Sequence, residues 1–289
     1  MVVSNVIGIW DAMSHAVRRP KISVVIPALN EERNLSYIAS RLPHDVDEVV
    51  FVDGGSLDNT VAVARELWPA GVHLVQTRKG KGNALACGFA AASGDIIVMI
   101  DADGSTDPAE IPRFVGALIS GKDFAKGSRF VQGGGSSDIT RTRRLGNWGL
   151  NTLVNVLFAT KYTDLCYGYN AFWSDCLDVM DLPDPGIERP QWGDGFEIES
   201  LINVRVAASG MQIAEVSSYE LDRIHGASNL NAVSDGLRIL WTILQEFKQA
   251  RRRGWKRGVG GRSLNVTAAG RYRFDADLQA QSLPDVRHA

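Results

Sequence analysis

Short apolar runs and amphipathic stretches alternate along the first half of the chain. Residues 22–26 form a β-branched apolar run ended by Pro27, the pattern of a buried strand. Residues 31–42 read as a helix, 48–52 as a second buried strand stopped by Asp53-Gly54-Gly55, 57–68 as a helix and 72–75 as a short strand. An alanine-rich helix is expected over 81–92, then a strongly apolar strand over 95–100 that ends in Asp101-Ala102-Asp103-Gly104. Pro108 suits the first turn of a following helix, and 124–127 suggest one more strand. Strands alternating with helices predict an α/β fold with a mainly parallel sheet covered on both faces. Ligands of such sheets bind beyond the carboxyl ends of the strands. Asn30-Glu31, Asp53 and Asp101–Asp103 all fall there.

After Arg129 the pattern changes. Residues 132–137 are rich in glycine and serine, and a basic cluster (Arg141, Arg143, Arg144) precedes an amphipathic helix around 148–158. Residues 194–207 read as helical and 211–216 as a strand. Residues 229–251 place Leu230, Val233, Leu237, Leu240, Ile243 or Leu244, and Phe247 at helical spacing and run into Arg251–Arg253 and Lys256-Arg257. The expected organisation is a leader over 1–20, one domain over 21–250 with halves at 21–130 and 131–250, and a loose basic tail over 251–289.

Composition narrows the function classes. A net charge of -2 speaks against a nucleic-acid binder. The three cysteines, Cys87, Cys166 and Cys176, have no C-x-x-C spacing and read as reduced thiols of a cytoplasmic protein. No run approaches the ~18 apolar residues of a membrane span, and residues 2–10 lack the basic flank of a secretory signal. The stripes at 148–158 and 230–247 read either as core or as faces that rest on a membrane surface.

Asp101 and Asp103, one residue apart at a strand end, can reach one hard cation; Mg²⁺ or Mn²⁺ favours such oxygen donors and shares them with phosphates. The plain alternative is a pair of solvated turn aspartates. Lys79-Gly80-Lys81-Gly82 precedes a helix and offers amides and a lysine to phosphate, or is a basic turn. Residues 116–123 mimic a phosphate loop but lack its Ser/Thr and stand at a helix end before a strand, the wrong order.

Taken together, seven blocks resemble family 2 glycosyltransferases of GT-A fold, in particular the dolichyl-phosphate-mannose-synthase-like branch. They are 24–32 (VVIPALNEE), 52–60 (VDGGSLDNT), 79–82 (KGKG), 101–103 (DAD), 127–130 (GSRF), 164–172 (DLCYGYNAF) and 223–230 (RIHGASNL). The resemblance implies a nucleotide-diphosphosugar transferase, an α/β/α sandwich, with Pro27, Leu29 and Glu31 lining the nucleoside pocket. Asp53 would face the base or brace its own turn. Lys81, Asp101, Ala102, Asp103 and Arg223 would complete the donor site, with Arg129 near the phosphates. Arg143 and Arg144 would hold an acceptor phosphate, for which a permanently charged guanidinium is suited, or form a solvated face. His225 would join Asp101 and Asp103 at the metal, as a late histidine does in glucosyl-phosphoglycerate-synthase-like relatives. Gly54 stands where many relatives carry an acid, which leaves the base open, and Asn229 stands where the branch often has lysine.

The implied reaction is a metal-dependent, inverting transfer of a hexose from GDP-mannose or UDP-glucose to a polyprenyl phosphate. A small soluble hydroxyl or amine acceptor, such as a metabolite or cell-envelope precursor, is the alternative. A hydroxyl acceptor needs a base. Asp194 and Glu197, one helical turn apart, are the candidates, or are acids placed well at a helix N-terminus. Outside this reading stand a nucleotidyltransferase and a non-catalytic sugar-nucleotide-binding protein. The expected location is the cytoplasm or the inner face of the cell membrane.

Overall fold

A computed structural model describes residues 19–226 and 232–254. Residues 1–18 of the leader, Asn229, Leu230 and the tail beyond residue 254 lie outside the described residues.

The central sheet has seven strands: β1 (Ile22–Ala28), β2 (Glu48–Asp53), β3 (Val72–Val75), β4 (Ile96–Met99), β5 (Phe124–Ser128), β7 (Asn170–Trp173) and β8 (Ile213–Ser217). Their spatial order is β3-β2-β1-β4-β7-β5-β8. β1 pairs in parallel with β2 and β4, β2 with β3, and β5 with β8, while β7 runs antiparallel to both of its neighbours. A two-stranded ladder, β6 (Gly135–Ser136) with β9 (Tyr219–Glu220), sits apart. The expected mainly parallel α/β sheet is the one observed, with a single reversed strand that the pattern did not reveal.

β1 runs on through Pro27. The Val25 carbonyl accepts from Ile100 and so faces β4. Pro27, two residues on, faces the same way, and the β1–β4 pairing has already stopped at Val25. Its missing N–H therefore breaks no ladder bond.

The helices are α1 (Leu35–Arg41), α2 (Thr60–Leu67), α3 (Lys81–Ala91), α4 (Ile111–Ile119, after a 3₁₀ turn at Pro108–Glu110), α5 (Arg141–Phe158), α6 (Cys176–Met180), α7 (Ile198–Ser209) and α8 (Ala232–Arg252). Side chains alternate across a strand, and the run into β7 uses this to bind both layers. Tyr169 stacks on Phe114 of α4, with ring centres 4.2 Å apart. Phe172, of opposite parity, meets Phe89 of α3 edge-on at 5.4 Å and Phe124 face-on at 5.7 Å. Val24, Val25, Ile26, Val50, Val52 and residues 96–98 are fully buried, as strands covered on both faces must be. A second apolar cluster, including Val154, Phe158, Tyr162, Leu165, Val204, Ile239 and Ile243, joins α5, α7 and α8.

Candidate functional site at the ends of β1, β2 and β4

β1, β2 and β4 end side by side, which brings three loops together. The first two are zipped by reciprocal bonds. The Asn30 amide donates to Ser56 Oγ (2.9 Å), Leu57 to Asn30 Oδ1 (2.8 Å), Glu31 to Thr60 Oγ1 (2.8 Å) and Asn59 to Glu32 Oε2 (2.8 Å). These contacts use the residues expected to open two helices early, so α1 starts only at Leu35 and α2 at Thr60. Asn30 takes a left-handed φ of 59°, which asparagine tolerates. The buried Asp53 carboxylate accepts from the Gly55 and Ser56 amides at 3.0–3.2 Å. It braces its own turn. Leu29 is 44% exposed on the rim, beside Gly54.

Asp101, Ala102 and Asp103 follow β4. Asp103 Oδ1 accepts from the Ser105 amide (3.0 Å) and hydroxyl (2.7 Å), and Oδ2 lies 3.1 Å from Arg223 Nη1. Asp101 Oδ1 lies 2.5 Å from Lys81 Nζ. Glu31 stands beside both aspartates with Asn34 Nδ2 donating to it. Burial, opposed by the Asn34 bond but helped by the charge of Asp103, pushes its carboxyl up to about 7. The strap at residues 221–225 crosses this corner: Leu221 donates to the Ser105 carbonyl, and the His225 carbonyl accepts from Asn34. Arg223 Nε and Asn34 Oδ1 are buried with no hydrogen-bond partner among the described residues.

Two oxygen acids one residue apart, next to orphaned polar atoms, fit a hard divalent ion shared with a diphosphate. Among the described residues no three His, Cys, Asp or Glu side chains converge as a ready-made cage. Asp101, Asp103 and His225 are therefore not assembled as a trio.

Three further expectations are corrected by the geometry. Arg129 does not face the corner. Its Nε and Nη2 grip Asp164 (2.7 and 2.9 Å), its Nη1 grips Glu220 (2.9–3.0 Å), and its guanidinium lies 4.9 Å from the Tyr167 ring centre. It is a buried brace with its nitrogens committed. Asp194 and Glu197 do not share a helical turn, because α7 begins at Ile198. Asp194 is locked two-pronged to Arg78 (2.7 and 2.8 Å), which outweighs burial and holds its carboxyl below the usual range, the wrong direction for a base. Glu197 accepts from the Gly193 and Gly195 amides and lies 3.5 Å from Arg238. Nor are the first α3 amides free for phosphate. Gly82 and Asn83 donate to the Asp194 carbonyl (2.8 and 3.2 Å), and a Cβ on Gly82 would come within 1.8 Å of the Gly193 oxygen.

Arg143 pairs with Asp138 at 2.9 Å, and Arg144 lies over Phe130 with its exposed guanidinium 5.6 Å from the ring. Both stand in the first turn of α5. Glu199, passed over in favour of its neighbours, is the acid of this segment that reaches the corner, 2.5 Å from Lys81 Nζ. Arg78, Glu220 and the buried Lys126 also escaped sequence reasoning, and Asp164 entered it only as the first residue of a resemblance block, with no role. Of these, Lys126 follows the apolar pair Phe124-Ala125, whereas Arg78 and Glu220 stand among polar residues and carry no local signal.

Residues 23–178 match the model of glycosyl transferase family 2. The chain is 32% identical over 218 residues to polyprenol monophosphomannose synthase of Mycolicibacterium smegmatis, covering 72% of this chain and 80% of that one. It is 40% identical to dolichol-phosphate mannosyltransferase of Pyrococcus furiosus, over 78% of this chain and 64% of the relative. Glucosyl-3-phosphoglycerate synthase from Mycobacterium tuberculosis, solved with Mn²⁺, UDP and glucosyl-3-phosphoglycerate, superposes with a TM-score of 0.59 at 25% identity, covering 79% and 80% of the two chains.

Two outcomes test the site's wiring. Arg129→Met strands Asp164 and Glu220 in the interior, so urea unfolding should show a loss of about 3–5 kcal/mol; a loss below about 1 kcal/mol would mean the brace is dispensable. Glu31 binds its proton more tightly folded than unfolded, so it lowers stability as pH rises from 4.5 to about 7. The stability of Glu31→Gln relative to wild type should therefore grow across that window, and a constant difference would refute the raised value.

Proposed function

We propose that this chain, which belongs to glycosyl transferase family 2, transfers a hexose from a GDP-mannose- or UDP-glucose-type donor to a polyprenyl phosphate, with inversion at the sugar carbon. The observation that carries the reading is the acid pair after β4 with Lys81 and Arg223 on it, on a GT-A sheet. That corner can receive a diphosphate: Arg223 keeps an unused buried N–H, and Lys81 presents its ammonium at the cleft edge. Glu31 and the zipped loops 28–32 and 53–60 form the wall for the nucleoside. Asp101 and Asp103 would hold Mg²⁺ or Mn²⁺, which supplies charge to the departing nucleotide phosphate. His225 would be the third ligand: it follows Ile224, whose amide donates to the Asp103 carbonyl at 3.4 Å.

A phosphate acceptor is already anionic and needs no base. This agrees with Asp194 being locked, and it leaves Arg143 and Arg144 as the acceptor's anchors at the α5 N-terminus. A small phosphorylated acceptor is the second reading, favoured by the fold's likeness to a synthase solved with glucosyl-3-phosphoglycerate. Glu197 is then the remaining candidate base.

Polyprenyl phosphate lives in a bilayer, and the acceptor side offers a face for one. Among the described residues no helix is long and apolar enough to cross a membrane. α5 and α8 pack side by side through Leu150, Leu153, Ile239 and Ile243 and turn Leu145, Trp148, Val156, Leu237, Trp241 and Leu244 outward, 44–68% exposed. α5 carries three arginines and no acid. α8 carries two acids, Asp235 in its first turn and Glu246, which is withdrawn into a pair with Arg205, against Arg238, Lys248, Arg251 and Arg252. A basic amphipathic face of this kind suits an anionic surface.

Incubation with Mn²⁺, each donor and a short polyprenyl phosphate should yield the lipid-linked hexose by mass spectrometry. Asp103→Asn should lower kcat/KM by about 10²-fold or more. Transfer to 3-phosphoglycerate but to no lipid would select the second reading; no transfer with any acceptor would reduce the protein to a binding module. Vesicles with anionic lipid should sediment the wild-type chain, and Trp148→Asp with Trp241→Asp should abolish this; equal sedimentation would place the membrane contact elsewhere.

A further inference from the structure

Lys81 is held by two acids that differ in their relation to the cleft. Its Nζ lies 2.5 Å from Asp101 Oδ1 and 2.5 Å from Glu199 Oε1. The Asp101 side chain is 28% exposed and belongs to the pair that suits a cation; that of Glu199 is 13% exposed and comes from the first turn of α7. Room for this arrangement is made by Gly168. A Cβ there would lie 2.5 Å from Glu199 Oε1 and 3.3 Å from Lys81 Nζ. Arg223 covers the other aspartate in the same manner, so each carboxylate of the pair already has a positive partner from the chain.

A divalent ion on Asp101 and an ammonium in contact with the same carboxylate repel at close range, so the two compete for Asp101. Sending that ammonium into an apolar surround without a partner would be costly. Glu199 removes this cost, since the lysine can leave Asp101 and keep its second carboxylate.

We propose that Lys81 is a resident counter-ion displaced from Asp101 by the incoming divalent ion, and that Glu199 is the positioning residue that retains the released ammonium at the cleft edge for the diphosphate. The inference rests on the donor reading above. Metal alone then binds weakly against its internal competitor. Diphosphate offers the freed lysine a new partner, so metal and nucleotide strengthen each other, and by linkage each does so by the same factor.

The test is direct titration of the full chain with Mn²⁺, reading free Mn²⁺ by its paramagnetic resonance, with and without UDP or GDP. In the wild type a nucleotide that binds should tighten Mn²⁺ binding about tenfold or more. Lys81→Met should tighten Mn²⁺ binding in the absence of nucleotide about fivefold and shrink the coupling. Glu199→Gln should do the reverse to Mn²⁺ alone, because the ammonium then has Asp101 as its one strong anion. Gly168→Ala, which pushes the Glu199 carboxylate aside without removing its charge, should shift Mn²⁺ binding in the same direction as Glu199→Gln. A purely structural role would lower the melting temperature of these variants and leave Mn²⁺ affinity unmoved, and that result overturns the proposal, as does a Lys81→Met protein that binds Mn²⁺ no better than wild type. UDP and GDP titrated without metal report on the donor reading separately: if neither binds, that reading fails, while the Mn²⁺-only comparison still decides the role of Lys81.

Discussion

Where β1, β2 and β4 end together, the parallel sheet leaves Asp101, Asp103 and Glu31 in one half-enclosed corner, and Lys81 and Arg223 meet them there. Like charges this close raise one another's cost, and burial raises it further. The chain answers with bases drawn from distant segments: Lys81 from the start of α3 and Arg223 from the strap after β9. The same groups that quiet the acids are the ones a nucleotide diphosphate needs. On the proposed reading, balance within the resting protein and recognition of the donor would draw on one set of side chains.

Around this corner, arginines tie the acceptor side to the sheet. Arg78 reaches from the β3–α3 loop to Asp194 and to the carbonyls of Asp184 and Ile187, which fixes the segment before α7. Arg129 does the equivalent work beyond β5, between Asp164 and Glu220, with Asn147 of α5 donating to the same Asp164. Breaking one partner of such buried pairs leaves an uncompensated charge, whereas exposed pairs such as Arg253 with Asp181 contribute little. Both arginines fix loops that leave the sheet, one before α7 and one after β5.

Much of the donor half was legible in the sequence. β-branched runs ended by acids and glycines marked β1, β2 and β4, and their alternation with helices fixed both the parallel sheet and the edge where chemistry belongs. The acceptor half was less so. β7 was hidden because its four residues, Asn170 to Trp173, carry no period of their own, and only pairing with β4 and β5 makes them a strand. Arg129 and Asp194 invite a functional reading as charged residues in suggestive motifs. What commits them elsewhere are partners 35, 91 and 116 positions away, a separation no local pattern encodes. Gly80 and Gly82 mislead for a similar reason: their small size serves close packing against residues 193–195.

β5 and β7 are immediate neighbours in the sheet, yet the chain between them makes a long excursion that contains β6 and α5. Arg129, at its exit, and Asp164, near its return, clasp each other across 35 positions. The excursion is therefore a sleeve sewn shut at the cuff. With its two ends fixed to each other, a change inside the insert falls first on the cluster that joins α5, α7 and α8 and on the β6–β9 ladder, and only after them on the strands of the sheet.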